Sequence, residues 1–245
     1  MRINWFTIFI VIFIFIFIFI FIFIFILYSI KKINIESFEQ NSGINVIYYI
    51  NLDHRPDRNA EFLEEMDKIH FSKEKIIRVS AVYEKDRGHL GCTKSHIKTL
   101  ELFIQSNHNN CIIFEDDFEF INHDSSVLQQ IDNILNNNIP YDVIMLSANE
   151  INTSPSNYID LVNVIDAQTA SGYMVSKEFA PILLQNFKEG YKLLEKNYDK
   201  HNSYAIDQYW KLLQPISQWY MFEPKLGKQR ASYSDIQNGI VDYNV

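Results

Sequence analysis

The sequence has little cysteine and no cluster of basic residues. Its 245 residues include two cysteines, Cys92 and Cys111, which are too few for a disulfide scaffold and match no CxxC zinc pattern. We interpret both as small buried apolar residues, while a single bridge between them stays open for a lumenal domain. The formal net charge is −8, and an acidic chain without a Lys/Arg cluster argues against nucleic acid as its main partner.

Several catalytic patterns are also missing from the sequence. No DxDxT or P-loop motif occurs, which disfavours a metal-dependent phosphoryl or nucleotidyl transferase or hydrolase. Residues 44–245 contain neither an internal repeat nor a domain linker. The sequence therefore predicts one catalytic-type domain.

The N-terminus is dominated by an uncharged apolar run. Residues 5–30 are mostly Ile and Phe, and about 20 apolar residues span a bilayer as a helix. A cleaved signal peptide usually has an apolar region of only about 7–15 residues and a small-residue cleavage site, and neither fits here. We expect residues 5–30 to form a transmembrane anchor between a short tail, 1–4, and a polar stem, 31–43. A repeat expansion without function is the alternative.

Strand-like and helix-like patterns alternate in the first half of the remaining chain. The strands are expected at residues 44–51, 75–81, 111–117 and 142–148. The intervening helices are expected at residues 56–70, 93–106 and 126–137. This order predicts an α/β domain with a mostly parallel sheet and helices on both faces. The second half is less regular, with short strands at 163–166, 172–176 and 218–222, helices near 177–186 and 204–213, and a polar loop over 223–235.

Three successive carboxylates, Glu115, Asp116 and Asp117, end the apolar run that begins at Cys111. Buried like charges are costly unless a cation or hydrogen-bond donors compensate them. Because side chains alternate along a strand, we expect Glu115 and Asp117 to share a face and Asp116 to point away. Such a pair suits Mn²⁺ or Mg²⁺. The alternative is a solvated strand end whose acids meet a lysine or a helix terminus.

Two basic residues and a helix start are expected at the same edge of the sheet, because ligands of open α/β sheets bind beyond the carboxyl ends of the strands. Arg55 and Arg58 follow the first strand and suit phosphate or carboxylate, or else form salt bridges to Asp57 or Glu61. Gly91 opens a predicted helix whose free N–H groups favour an anion such as pyrophosphate.

His96 lies on the apolar stripe of that same helix. Cys92, His96, Leu100 and Phe103 follow a 3–4 spacing. This pattern favours one role for His96, that of a buried, hydrogen-bonded residue that orients a neighbouring loop. A catalytic base is the less favoured alternative. Ser95, beside it, is expected to bond back within the helix.

Six blocks of the sequence closely resemble glycosyltransferase family 25, which includes lipopolysaccharide and lipooligosaccharide galactosyltransferases and procollagen hydroxylysine galactosyltransferases. In chain order they are INLDHRPDR, GHLGCTKSH, IIFEDD, TASGYMVSK, IDQYW and LGKQRASYSDI. The resemblance covers about residues 44–235. It implies a single GT-A-like nucleotide-sugar-binding domain over residues 44–245. The implied reaction moves galactose or glucose from a UDP-hexose to a hydroxyl of a glycan or protein acceptor, with inversion.

The resemblance also implies the chemical site. An acidic DxD-like motif holds Mn²⁺ (or Mg²⁺) in this family, and here that role falls on Glu115, Asp116 and Asp117, with Glu in place of the first Asp. Asp117 is the first choice of ligand, Glu115 or Asp116 contacts ribose or metal-bound water, and Asp235 supplies a further ligand. Asp207 accepts the proton of the attacking hydroxyl. A helix cap or a salt bridge is the alternative for Asp207.

The remaining implied contacts are to the sugar donor. Gly172 and Tyr173 would border the sugar, where glycine permits close approach. Arg230 and Ser234 lie in a tail loop that would close over the diphosphate, with a mobile polar terminus as the alternative. The predicted cofactor-binding residues are Arg55, Arg58, Gly91, Ser95, His96, Glu115, Asp116, Gly172, Tyr173, Arg230 and Ser234.

The anchor and the implied chemistry together predict a single-pass, type II membrane protein with a lumenal catalytic domain. A glycosylation sequon that begins at Asn152 is compatible with this location. A membrane-anchored glycan-binding protein that kept the fold and lost catalysis is the competing prediction. The presence of the acidic triplet and of Asp207 argues against such a loss.

Overall fold

The chain divides into two units, Met1–Ser42 and Gly43–Val245. The computed structural model describes residues 13–29, 43–234 and 239–241. In the first unit, residues 13–29 form a helix, α1, whose large apolar side chains are exposed. In the parts of the chain that the structure describes, no helix combines the length and hydropathy needed to cross a membrane. The N-terminal tail, the rest of the predicted anchor and residues 31–42 of the predicted stem lie outside the described residues.

The second unit alternates strands and helices through its first half, as the sequence predicts. Its main elements are β1 (Ile47–Asn51), α2 (Pro56–Lys68), β2 (Ile76–Ser80), α3 (Gly88–Gln105), β3 (Asn110–Glu115), β4 (Phe118–Phe120), α4 (Ser126–Asn136), β5 (Val143–Met145), β6 (Asn149–Pro155), β7 (Leu161–Gln168), β8 (Gly172–Ser176), α5 (Ala180–Lys196), α6 (His201–Tyr204), α7 (Ile206–Tyr209), β9 (Trp219–Phe222), β10 (Gly227–Gln229), β11 (Ser232–Ser234) and β12 (Gly239–Val241).

One eight-stranded sheet organises this unit, with the order β2-β1-β3-β8-β5-β9-β7-β6. The pairs β1–β2, β1–β3 and β5–β9 are parallel, whereas β8 runs antiparallel to β3 and β5. The result is a mixed α/β fold with a largely parallel central sheet. The parallel strands β1 and β3 end at the same edge of the sheet, and β3 carries Glu115 there.

Helices cover both faces of the sheet, which explains why its central strands are apolar throughout. All five residues of β1 and of β8 are buried. Leu100 of α3 and Phe187 of α5 join the core on one face. On the other face, Phe62 of α2 stacks on Tyr49 with ring centroids 4.4 Å apart. A strand buried on both faces needs a continuous apolar run rather than alternation.

Four expectations about element bounds are wrong. The helix expected near residues 177–186 is α5, which spans Ala180–Lys196. The helix α3 begins at Gly88 and not near Thr93, because the turn after β2 is shorter than predicted. The region expected to contain one helix over 204–213 forms short pieces, including α6 and α7. The expected tail loop contains β10, which pairs with β4 through Gly227 and Phe120.

Candidate active site

A cavity of about 210 Å³ opens where β1, β2 and β3 end and α3 begins. This volume is several times that of one water molecule, so the cavity can admit part of a substrate. Its lining includes the predicted residues Arg58, Ser95, Glu115, Asp116, Asp117 and Asp207. The walls therefore bring together four carboxylates from the end of β3 and from α7.

The acidic triplet does not follow strand alternation. The strand β3 ends at Glu115, and Asp116 and Asp117 lie in the turn that follows. Because the backbone leaves the strand there, both Asp116 and Asp117 face Arg58 of α2. The expectation that Asp116 points away from its neighbours is therefore wrong.

Arg58 is the cation that compensates the two aspartates. Its Nη1 lies 2.8 Å from Asp116 Oδ1 and 3.3 Å from Asp117 Oδ2. Asn51 Nδ2, at the end of β1, donates to Asp116 Oδ2 at 2.7 Å. Burial nevertheless raises the pKa of Asp116, against the lowering effects of Arg58 and Asn51. Asp116 thus has a partner on each oxygen.

Asp117 is only partly satisfied. Gln229 Nε2 donates to its Oδ2 at 3.0 Å, and Arg58 contacts the same oxygen. Its Oδ1 is buried and has no hydrogen-bond partner in the described structure. Burial, and then the negative charge of Glu115, raise the pKa of Asp117 to about 7. One carboxylate oxygen of the cavity wall thus lacks a donor or a cation.

Glu115 is held from the opposite side, by α3. His96 Nε2 lies 3.0 Å from Glu115 Oε1, and Cys92 Sγ lies 3.4 Å from the same oxygen. Burial acts to raise the pKa of Glu115, but the hydrogen-bonding and electrostatic interactions with His96, the hydrogen bond from Cys92 and the charge of Arg58 outweigh it, so the net shift is downward. The pKa values of the two ends of the triplet are therefore shifted in opposite directions.

Asp207 stands in the cavity wall at the start of α7. Its Oδ2 accepts a hydrogen bond of 3.2 Å from the N–H of Thr169. Burial raises the pKa of Asp207, and the charge of Glu115 adds to this effect. Thr169 has φ 90°, a conformation that a β-branched residue rarely adopts. Backbone strain of this kind concentrates at functional sites, and here it aims an N–H at a carboxylate.

Sequence reasoning missed several residues of the cavity wall. Besides Thr169 they include His89, Asn149, Gln168 and Gln229. His89 stacks on His201 with ring centroids 4.7 Å apart, and burial followed by the charge of His201 lowers its pKa to about 4. The sequence indicated these residues only in part. Thr169, His89 and Gln229 lie within the six blocks that resemble the family, but no residue spacing predicted that they would line the cavity.

A comparison with known protein families shows which family this chain belongs to. Residues 86–210 match the model of a family described as glycosyltransferase family 25 (LPS biosynthesis protein), which is just over half of the chain. The chain belongs to glycosyltransferase family 25. The matched region contains the acidic triplet, α3 and Asp207. Membership implies a sugar donor and an acceptor.

Comparison by structure gives only distant likenesses. A mannose-1-phosphate geranyltransferase from Thermus thermophilus is 6% identical, with a TM-score of 0.46 over 79% of this chain and 76% of that chain. A glycosyltransferase involved in the glycosylation of the major capsid of PBCV-1 is 10% identical, with a TM-score of 0.42 over 79% of this chain and 95% of that chain. No curated protein matches the sequence. These likenesses are too weak to bear on function.

Two predicted binding residues, Gly91 of α3 and Arg55 just before α2, are not among the described residues that line the cavity. Gly91 sits inside α3, and its N–H donates to Arg87 O at 3.4 Å, within the first turn. An added Cβ at Gly91 would come within 2.5 Å of Val82 O. The glycine therefore lets α3 approach the loop that follows β2 and contains Val82. Arg55 forms a salt bridge of 2.8 Å with Asp57, which was the alternative left open for it.

The neighbouring Ser95 does bond back within the helix. Its hydroxyl donates to Gly91 O at 2.7 Å and accepts from Val82 N–H at 2.8 Å. It therefore joins α3 to the loop after β2 while its side of the helix faces the cavity.

The glycine-tyrosine pair of the TASGY block also lies behind the wall. An added Cβ at Gly172 would overlap the ring of Phe118, so the close approach that requires glycine here is made by a side chain of β4. Tyr173 is fully buried, and its hydroxyl lies 3.0 Å from His96 Nδ1. A donor sugar bordered by these two residues stays a prediction.

The C-terminal block reaches the site through its backbone. Arg230 N–H donates to Asp117 O at 2.7 Å, and the guanidinium of Arg230 pairs with Glu61. Ser234 ends β11, while Asp235 lies outside the described residues. The tail is therefore bonded to the acidic turn at Asp117, in addition to the Gln229 contact.

The two cysteines are both free thiols. Cys111 is buried in the core, as interpreted from its sequence context, and Cys92 lines the cavity. Burial raises the pKa of both thiols, so each is a neutral thiol near neutral pH.

Proposed function

We propose that this family 25 member transfers a hexose, galactose or glucose, from a UDP-sugar to a hydroxyl of a glycan or protein acceptor, with inversion and with Mn²⁺ or Mg²⁺ as cofactor. The observation that carries the proposal is the unpartnered Oδ1 of Asp117, which is buried in the wall of a cavity that four other carboxylates also line. A hard divalent cation is the partner that such an oxygen suits best.

The residues present fit a divalent cation. Asp117 offers Oδ1, and Glu115 keeps one oxygen that is not engaged by His96 or Cys92. Asp116 is saturated by Arg58 and Asn51 and is the least suited of the three. We assign Asp117 and Glu115 as ligands, with Asp235 as a further one. When bound, the cation neutralises charge that develops on the leaving diphosphate.

Asp207 is the proposed general base. Its carboxylate is half-buried, lines the same cavity and has a raised pKa. A base whose pKa approaches the working pH accepts a proton more effectively than a fully exposed aspartate. The Thr169 N–H fixes one oxygen, Oδ2, and so leaves Oδ1 to receive the proton of the acceptor hydroxyl.

Arg58 has a supporting part in this scheme. It lines the cavity and contacts both aspartates. It holds the turn in place before a cation binds, because the two carboxylates would otherwise repel. A phosphate oxygen of the donor can share the same guanidinium, which offers donors in a fixed fork.

The test of this function is release of UDP by the full-length protein. UDP-galactose and UDP-glucose are supplied with Mn²⁺ or with EDTA, and free UDP is measured. The proposal expects metal-dependent release, which Asp117→Asn abolishes and Asp124→Asn, an exposed carboxylate outside the cavity, leaves unchanged. Tight glycan binding with no turnover would favour the glycan-binding alternative, and turnover in EDTA would contradict the metal.

We also propose that the apolar run anchors the chain as a single-pass, type II membrane protein with a lumenal domain. Residues 5–30 carry no charge, and Asn152 of the sequon is exposed in β6. In microsomes, a glycosidase-sensitive mass that disappears in Asn152→Gln would support a lumenal domain. Protease digestion of the domain in intact microsomes would contradict it.

A further inference from the structure

A buried chain of side chains runs from β8 through α3 to Glu115. The hydroxyl of Tyr173 lies 3.0 Å from His96 Nδ1, and His96 Nε2 lies 3.0 Å from Glu115 Oε1. Tyr173 and His96 are both 0% exposed. Neither touches the cavity, so any part that they play is exerted through Glu115.

The Glu115 carboxylate fixes the direction of one hydrogen bond, and the tautomer of His96 fixes the direction of the other. An ionised carboxylate only accepts, so the proton between His96 and Glu115 belongs to Nε2. If this is the one proton on the ring, Nδ1 is bare and accepts from the hydroxyl of Tyr173. Burial raises the pKa of Tyr173 well above its usual range, so this hydroxyl keeps its proton.

The chain acts on only one oxygen of Glu115. Both His96 and Cys92 contact Oε1, while the Glu115 side chain is 22% exposed and lines the cavity. Its second oxygen, Oε2, is therefore the one presented to a ligand. A carboxylate fixed at one oxygen keeps the other in a defined position.

Packing holds the side chains of Tyr173 and His96 in place. The ring of Tyr173 lies edge-on to Trp210 with centroids 5.6 Å apart, and the ring of His96 lies edge-on to Phe187 at 6.3 Å. Tyr173 is further fixed by β8, which pairs it with Ile113 of β3. The strand that carries Glu115 thus also fixes the far end of the chain.

We propose that Tyr173 and His96 are positioning residues that hold Glu115 with Oε2 toward the cation site. This inference rests on the proposed function for the identity of the ligand. Residues that orient a metal-binding carboxylate typically change metal affinity or activity about 10–100-fold when they are lost. Tyr173→Phe, which removes one oxygen and keeps the ring, is expected to weaken Mn²⁺ binding about tenfold.

A competing arrangement uses the same atoms. Cys92 Sγ, His96 Nε2 and a Glu115 oxygen lie within 4.8 Å of one another, and thiolate, imidazole and carboxylate are the ligands of zinc sites. The contacts of Cys92 and His96 with Glu115 Oε1 account for the short distances between these atoms without a metal. Cobalt distinguishes the two, because a cobalt–thiolate bond gives a charge-transfer band.

The first measurement is the tautomer of His96 in the full-length protein, read from its ¹⁵N chemical shifts. We expect the proton on Nε2 and a bare Nδ1 in the wild type, and a shifted Nδ1 resonance in Tyr173→Phe. The second measurement is Mn²⁺ affinity by calorimetry. Tyr220→Phe, another buried tyrosine of the sheet, is the control and should bind Mn²⁺ as the wild type does.

The conservative variant His96→Gln separates positioning from packing. Its amide N–H can still donate to Glu115, so it should retain more Mn²⁺ affinity than His96→Leu. A proton on His96 Nδ1, or unchanged Mn²⁺ affinity in Tyr173→Phe, would overturn the inference. So would a cobalt–thiolate band that Cys92→Ser removes and Cys111→Ser keeps. If the wild type binds no Mn²⁺, the metal dependence in the proposed function is wrong. The tautomer of His96 then decides by itself whether the Tyr173–His96–Glu115 hydrogen bonds run as assigned.

Discussion

Glu115 and Asp117 stand two residues apart in the sequence and are held in opposite ways. Glu115 receives hydrogen bonds from His96 and Cys92, and the net shift of its pKa is downward. Asp117 keeps an unpartnered oxygen, and burial raises its pKa to about 7. The difference teaches that the fold fixes one oxygen of Glu115 with hydrogen bonds and leaves its other oxygen for a ligand, whereas Asp117 Oδ1 has no partner of its own.

The largest expected effect lies across the cavity from this pair. Asp207→Asn keeps the size of the side chain and an acceptor for the Thr169 N–H, but removes the basic oxygen. Because general-base catalysis contributes about 10²–10⁴-fold, we expect kcat to fall by about 10³-fold while the dissociation constant for UDP stays within about threefold. Steady-state kinetics and calorimetry measure the two quantities. A full kcat in Asp207→Asn would remove it as the base.

The next effect concerns the cation that holds the Asp117 end. Arg58→Met leaves Asp116 and Asp117 buried without their guanidinium. Breaking a buried ion pair from one side costs about 3–5 kcal/mol, so the free energy of unfolding at neutral pH should fall by about that amount. Arg55→Met is the matched control, because its pair with the exposed Asp57 is worth at most about 1 kcal/mol. Equal losses in the two variants, measured by denaturant unfolding, would contradict this account.

A smaller effect has opposite signs at the two ends of the triplet. The pKa of Asp117 is higher in the folded state, so the folded protein binds more protons and its stability falls as the pH rises from about 4 to about 7. The pKa of Glu115 is lower in the folded state, so its contribution is present above about pH 4.3 and is lost as the pH falls through the folded value.

At about pH 8, Asp117→Asn should therefore raise the free energy of unfolding by about 1 kcal/mol and Glu115→Gln should lower it by about 1 kcal/mol. At about pH 4, where wild-type Asp117 is already protonated, the gain from Asp117→Asn should vanish. Denaturant titrations at the two pH values measure both changes. The same sign for both variants at the higher pH would mean that the two ends are not held differently.

Much of the scaffold could be predicted from the sequence, and the partners of the site residues could not. The strand at Ile47–Asn51 and the helix that starts at Pro56 follow from local apolar runs and turn residues. The contact between Arg58 and Asp116 joins residues on different elements, and no local pattern encodes it. Strand alternation also gave a wrong orientation for Asp116, because β3 ends at Glu115 and the backbone turns before the rule can apply. The Tyr173–His96 contact likewise depends on how β8 pairs with β3.

The most direct test of the central claim is calorimetry of Mn²⁺ and UDP on the full-length protein. We expect Mn²⁺ to bind the wild type, to tighten the binding of UDP, and to bind roughly tenfold more weakly at about pH 6 than at about pH 8, because Asp117 must lose its proton. Asp117→Asn should lose both the Mn²⁺ binding and its effect on UDP. UDP that binds equally well with Mn²⁺ or EDTA, in the wild type and in Asp117→Asn alike, would contradict the account.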